Sequence, residues 1–237
     1  MTDDSRADPR LESTYLTTCC EGTVTLAGVV HDHPASVARV AAVVERRQPD
    51  AVALELPPLA VGLYEAHAAR GTDPLAFGGE MSAAIAAAET DQIVGIDGPS
   101  RRFCRALAGR FARDRPGVGT VARSLRGVAS VARTALACRG AAAVARRTPL
   151  APTVGSRTAY EVDEADPPAR QARDERRQAE AATAVLDAFE KPSAARIRSE
   201  TREAHMAERL RALAAEGTVV AVVGLGHFDP LVERLDE

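Results

Sequence analysis

The sequence has no tryptophan, a single lysine (Lys191), and aromatic residues at only 3% of its 237 positions. A core without large rings must be built mainly from Ala, Val and Leu. At 46% hydrophobic and 27% charged residues, the chain has the balance of a soluble globular protein. Its length suffices for one large domain or two small ones. The net charge of −3 removes any global electrostatic case for a nucleic-acid partner. The Ala/Arg bias reads as the imprint of a GC-rich genome rather than of a function.

Other absences narrow the class further. Cys19, Cys20, Cys104 and Cys138 form neither a zinc-ligand spacing nor a disulfide framework. The acidic opening MTDDSRADPRLEST lacks the apolar core of a secretion signal. No uncharged apolar run approaches the ~18 residues expected of a membrane span. The expectation is a reduced, soluble, cytoplasmic protein without a transmembrane span.

Residues 1–12 read as a disordered tail and residues 13–237 as a single domain. Ser13 to Val30 suggests two strands joined at a Glu-Gly turn. Apolar residues at 37, 40, 41 and 44 then mark a helix ending before Pro49. AVALEL and QIVGID read as strands, with helices from PPLAVGLYEAHAARG and GGEMSAAIAAAETD between them. Alternating strands and helices predict an α/β fold, a central, mostly parallel sheet with flanking helices. Residues 98–217 read as a mostly helical insertion before the last strand, TVVAVV. Within it, positions 115–160 carry eight Arg and no Asp or Glu, and 161–180 mix acids with arginines. The run suits an acidic surface such as phosphate or lipid headgroups. The simpler expectation is a solvated face answered by the acids of 161–180.

The chemistry concentrates at two similar strand ends. GVVHDHP (Gly28 to Pro34) follows TVTLA, and GLGHFDP (Gly224 to Pro230) follows TVVAVV; both read Gly-x-x-His-x-x-Pro. Glycine permits a sharp turn and close approach, and the His then lies just past the strand's carboxyl edge, where ligands bind in open α/β sheets. Proline suits the first turn of a following helix, with Asp229 placed to cap the second one. If the two strands are neighbours, His31 and His227 form one composite site with a pseudo-twofold relation. Glu55 lies inside an apolar run, where a carboxylate is costly unless paired or metal-bound. Glu80 opens a helix, and Asp97 ends a strand. Two imidazoles with carboxylates make an N/O site for Mn, Fe, Co or Zn, able to activate water. His33, His67 and His205 lack such context and are expected at the surface or behind the site. The cysteines are expected to be inert.

The order of these elements resembles the TraB/PrgY family, related to Tiki, EreA and ChaN-like proteins, which carries two GxxH motifs. GVVHDHPASV, PDAVALEL, GGEM, VGID, TREAHMA and VVGLGH match its motifs in order, keeping Gly28, His31, Glu55, Glu80, Asp97, Arg202, Met206 and His227. The resemblance implies a metal-dependent, peptidase-like hydrolase acting on a peptide or small molecule. His31 and His227 would hold a divalent metal, while Glu55 and Glu80 supply a ligand and a general base. Arg202 would stabilise an oxyanion or clamp a substrate carboxylate. Gly28, Gly224, Gly226 and Asp97 would shape the ligand site. Three polar family positions are Pro57, Ala60 and Gly98 here. That loss favours the alternative, a non-catalytic binding or regulatory protein of the pheromone-shutdown kind. A tetrapyrrole- or iron-binding protein is a third reading, and a homodimer stays open.

Overall fold

The polypeptide builds a three-layer α/β/α sandwich, seen in a computed structural model that describes residues 8–11, 14–71, 77–156, 158–188 and 192–236. Five strands, β1 (Leu16–Cys19), β2 (Val24–Val29), β3 (Ala51–Leu54), β4 (Ile93–Gly95) and β5 (Val219–Gly224), lie in the order β1-β2-β5-β3-β4. All neighbours are parallel except the β1-β2 pair, which is antiparallel. The helices are α1 (Pro34–Arg47), α2 (Pro58–Ala68), α3 (Gly79–Ala86), α4 (Arg101–Asp114), α5 (Val118–Arg147), α6 (Pro168–Ala188), α7 (Ser193–Ala214) and α8 (Leu225–Asp236).

Every residue of β2, β3 and β5 is buried, as a parallel strand covered on both faces requires. Their period of two divides the core. Val24, Leu26, Ala51, Ala53, Ala221 and Val223 face Met206 and Leu210 of α7 and Phe228 and Leu231 of α8. Ala27, Val52, Leu54, Val220 and Val222 face Val40 and Val44 of α1 with Met81 of α3. The helices that follow neighbouring β2 and β5 therefore cover opposite faces. The carboxyl ends of those strands open a crevice between them, the topological position where such sheets bind ligands.

Four helices, α4 to α7, separate β4 from β5, with residues 148–156 and 158–167 non-helical. By length and composition α5 could cross a membrane, and burial in the core does not explain its apolar character, because only 22% of its most apolar window is buried. Among the described residues none of its arginines pairs with the acids of 161–180, and Arg146 pairs instead with Glu65 of α2, at 2.9 Å. Those acids go elsewhere. Glu161 meets Arg177, Asp166 meets Arg170, and Glu175 turns inward.

Glu175 forms a buried bidentate pair with Arg39, which is 0% exposed, through two bonds of 2.7 Å. Arg39 also donates to the Gly28 carbonyl at 3.0 Å, and Ser36 donates to Glu175. One cluster thus clips α6 and α1 to the end of β2. Beside it His33, 0% exposed, caps α1 and meets Asp174 at 3.2 Å. His67 donates to the Pro152 carbonyl, and His205 contacts Ser100. All three histidines are interior, not superficial, because each satisfies a backbone or side-chain group there. Of the expected tail, residues 1–7 and 12 lie outside the described residues. Residues 8–11 form a turn in which Arg10 reaches Gln171.

Glu175→Ala leaves the Arg39 charge buried without its partner. The variant is expected to lose about 3–5 kcal/mol of stability in urea unfolding. A loss within about 0.5 kcal/mol, as for a surface site, would contradict the clip.

Candidate functional site

The parallel pairing of β2 with β5, Val29 opposite Gly224, brings the two Gly-x-x-His segments to one crevice. They take different paths out of the sheet. The first enters a loop in which Asp32 is left-handed (φ 61°), and Pro34 then opens α1 behind the His33 cap. The second enters α8 at Leu225, immediately after the strand. His227 therefore lies in the first turn and Pro230 inside the helix, so Asp229 is not its cap. Parallel neighbours in one sheet are related by a shift across the strands. The pseudo-twofold relation expected of the repeat is therefore absent.

Each imidazole is fixed from behind by a carboxylate. His31 Nδ1 lies 2.7 Å from Glu80 Oε1, and the second Glu80 oxygen accepts the Asp32 amide at 2.8 Å. The Gly-Gly pair before Glu80 makes this approach available. Gly78 and Gly79 are both left-handed, and a Cβ on Gly79 would lie 2.6 Å from Asp32 Oδ1. His227 Nδ1 lies 3.1 Å from Glu203 of α7, which also accepts from Ser199 at 3.0 Å. With Nδ1 donating in both rings, each Nε2 is left for other work.

His227 Nε2 borders Glu55, the residue after β3, and His31 Nε2 lies across Gly224 from it. His227 Nε2 is 3.5 Å from Glu55 Oε1. His31 Nε2 is 2.7 Å from the point where a Gly224 Cβ would stand, and Glu55 Oε2 is 3.3 Å from that point. The Gly224 amide donates to Glu55 Oε2 at 2.7 Å. Arg202 of α7 donates to Glu55 at 2.7 Å and doubly to Asp97 at 2.8 Å. Burial works against the Arg202 charge, but the bonds to Asp97 and Glu55 outweigh it and raise its pKa. Arg202 thus holds two carboxylates, rather than standing free as a clamp. Burial likewise opposes ionisation of Glu203, while the bonds from His227 and Ser199 hold its carboxyl below the ordinary value. The His31 imidazole is pushed up to about 9, chiefly by its hydrogen bond to Glu80.

The glycines divide by role. Gly224 is inside the site. Gly28 serves packing: a Cβ there would lie 2.8 Å from the Phe228 ring. Gly226 meets nothing within 4 Å. Gly98 admits the Phe103 ring, 2.8 Å from its would-be Cβ, and Ala60 packs against Cys138 and Ala142 of α5. A cavity of about 400 Å³ opens beyond Arg202, bounded by Asp97, Phe103, Val128, Val131 and Arg198. The four cysteines are free thiols, and burial raises Cys19 to about 11.

Sequence reasoning passed over Glu203, Asp32 and Tyr160, whose hydroxyl donates to the His31 carbonyl at 2.6 Å. For Glu203 a signal existed. It falls on the i, i+3, i+4, i+7 line of Met206, Ala207 and Leu210, a carboxylate on a buried face, as Glu55 is in its strand. Asp32 and Tyr160 had none, since their roles depend on backbone conformation and a remote coil.

Glu55, Glu80, Asp97, Glu203 and Asp32 surround two basic groups, His31 and Arg202, together with the His227 ring. The donor set, two imidazoles backed by carboxylates with a further carboxylate beside His227, is of the chemical type that binds divalent cations. Among the described residues, no three His, Cys, Asp or Glu side chains already stand at ligand separations. Comparison with protein-family models, curated proteins and solved structures gives no significant match.

In chelator-treated protein, an NMR titration should place His31 near 9, and Glu80→Gln should return it toward the ~6.5 of a free imidazole. Because the folded value exceeds the unfolded one, the pair's contribution to stability is complete below pH ~6.5 and is lost as pH rises through about 9. Gly79→Ala should produce the same fall and destabilise by about 1–3 kcal/mol. An unchanged His31 titration in both variants would refute the Glu80 contact.

Proposed function

We propose that the crevice is a divalent-cation-dependent hydrolase centre of the TraB/PrgY type, acting on a peptide or small molecule. One observation carries this reading: two imidazoles, each backed at Nδ1 by a buried carboxylate, line one crevice, and the Nε2 of His227 lies 3.5 Å from a third carboxylate, Glu55. Carboxylate-backed histidines are the usual arrangement around a catalytic metal, because the second hydrogen bond fixes the tautomer and raises basicity. An excess of carboxylates in a partly buried crevice adds an electrostatic demand for a cation.

His31, His227 and Glu55 are the residues to hold Mn, Co, Fe or Zn, which when bound would acidify a water and polarise a carbonyl. The protein's own groups supply the rest. Glu80 and Glu203 set the orientation of the two rings. Arg202 donates to Glu55 Oε1 and the Gly224 amide to Oε2, which fixes this carboxylate where it can accept a proton from water and return it to a leaving group. Asp97 receives the other edge of Arg202 and so positions Glu55 indirectly. The cavity beyond Arg202 offers apolar walls and Arg198 to a substrate side chain or carboxylate.

A second reading, binding without turnover, draws support from Arg202. Both Asp97 and Glu55 engage its fork, which weakens its case as an oxyanion donor, and Pro57, Ala60 and Gly98 supply no polar substitute.

Protein purified without chelators should retain near-stoichiometric metal by elemental analysis and lose it in His31→Ala/His227→Ala. Affinity should rise with pH, since His31 must shed its proton to become a ligand. Metal-loaded protein should cleave members of a peptide and ester library, with Glu55→Gln at least about 100-fold slower if it serves in proton transfer. Metal without turnover selects the binding reading. No metal in either protein, after reconstitution with manganese, cobalt and zinc, overturns both the cation site and the hydrolase.

A further inference from the structure

A second cavity, of about 630 Å³, lies away from the crevice, between α2, the edge strand β4, α5 and α7. Its charged wall holds Arg139, Arg146 and Arg147 of α5 and Arg209 of α7, with a single carboxylate, Glu65. Glu65 is already committed to Arg146. Gly62 makes room for that guanidinium, since a Cβ there would lie 2.9 Å from Arg146 Nη2. Among the described residues no carboxylate answers Arg139, Arg147 or Arg209, and the buried Nε of Arg209 has no hydrogen-bond partner. The opposite wall is apolar, formed by Leu59, Ile93 and Val94. Leu59 is 41% exposed, a large aliphatic side chain facing the cavity rather than the core.

From this geometry we infer that the cavity is a binding site for a phosphorylated small molecule with an apolar or aromatic body, of the nucleotide class. Guanidinium forks suit phosphate oxygens, which they meet in pairs of charge-assisted bonds. Three arginines with no carboxylate partner among the described residues, converging from two helices, hold more charge than one carboxylate-bearing ligand would neutralise; Arg147 donates only to the Ala143 carbonyl of its own helix. The volume is that of ordinary small-ligand pockets, and the aliphatic wall gives a base or acyl group a surface to cover. The same run of α5 that has no acidic residue supplies three of the four arginines. Strand β4 borders the cavity through Ile93, Val94 and Gly95 and continues to Asp97 in the crevice, so occupancy at one could be felt at the other.

The test is calorimetric titration with ATP and with inorganic pyrophosphate, in EDTA so that no cation site contributes. Arg139→Gln/Arg147→Gln is compared with Arg126→Gln/Arg133→Gln, which removes equal charge from α5 outside the cavity. ATP should bind in low salt and more tightly than pyrophosphate. The cavity variant should weaken it at least about tenfold while the control stays within about twofold. His31→Ala/His227→Ala should bind ATP normally, which separates this site from the crevice. The inference is overturned by any of three results: no ATP binding at millimolar concentration, equal losses in both arginine variants, or binding only to vesicles containing phosphatidylglycerol. The last would make the arginines a lipid-headgroup contact.

Discussion

The arrangement depends on one buried carboxylate. Glu55 stands where β3 leaves the sheet, between parallel neighbours whose carboxyl ends form a crevice. A carboxylate there must be satisfied or expelled. It is satisfied from two sides: by the Gly224 amide at the end of β5 and by Arg202 of α7. Those bonds join the final strand, the strand beside it and the last helix of the insertion into a single polar knot. Arg202 extends the knot to Asp97 after β4. Strands from both ends of the sequence thereby meet at one chemical centre.

Around that centre the two histidines are held by unrelated means. Glu80 reaches His31 because two left-handed glycines let α3 begin against the Asp32 backbone. Glu203 reaches His227 across a packed helix pair, α7 on α8. Other buried polar groups serve a structural role; the Arg39–Glu175 clip holds α6 on α1. That clip matters indirectly, because Arg39 also donates to the Gly28 carbonyl of the strand that leads to His31.

Much of this was legible in the sequence, and the reasons differ by element. The parallel core showed itself through uninterrupted apolar runs such as TVVAVV, which only a strand covered on both faces can use. His31, Glu55, Glu80, Asp97, Arg202 and His227 stood out as polar residues at strand ends, in an apolar run or in ordered motifs, and the fold brings all six together. Local rules failed where tertiary contacts decide. The Pro of FDP suggested a new helix after Asp229, yet α8 starts five residues earlier because His227 must face the crevice. His33, His67 and His205 looked unremarkable in one dimension, and their partners Asp174, Pro152 and Ser100 lie far along the chain. The burial of Arg39 was hidden for the same reason.

The central claim is that His31, His227 and Glu55 share one cation. A crystal soaked in cobalt and measured at the cobalt absorption edge tests it directly. The account predicts one anomalous peak bonded to both Nε2 atoms and to a Glu55 oxygen, absent from His31→Ala crystals. A fully soaked crystal with no peak in the crevice, or a peak bonded to neither imidazole, would contradict it.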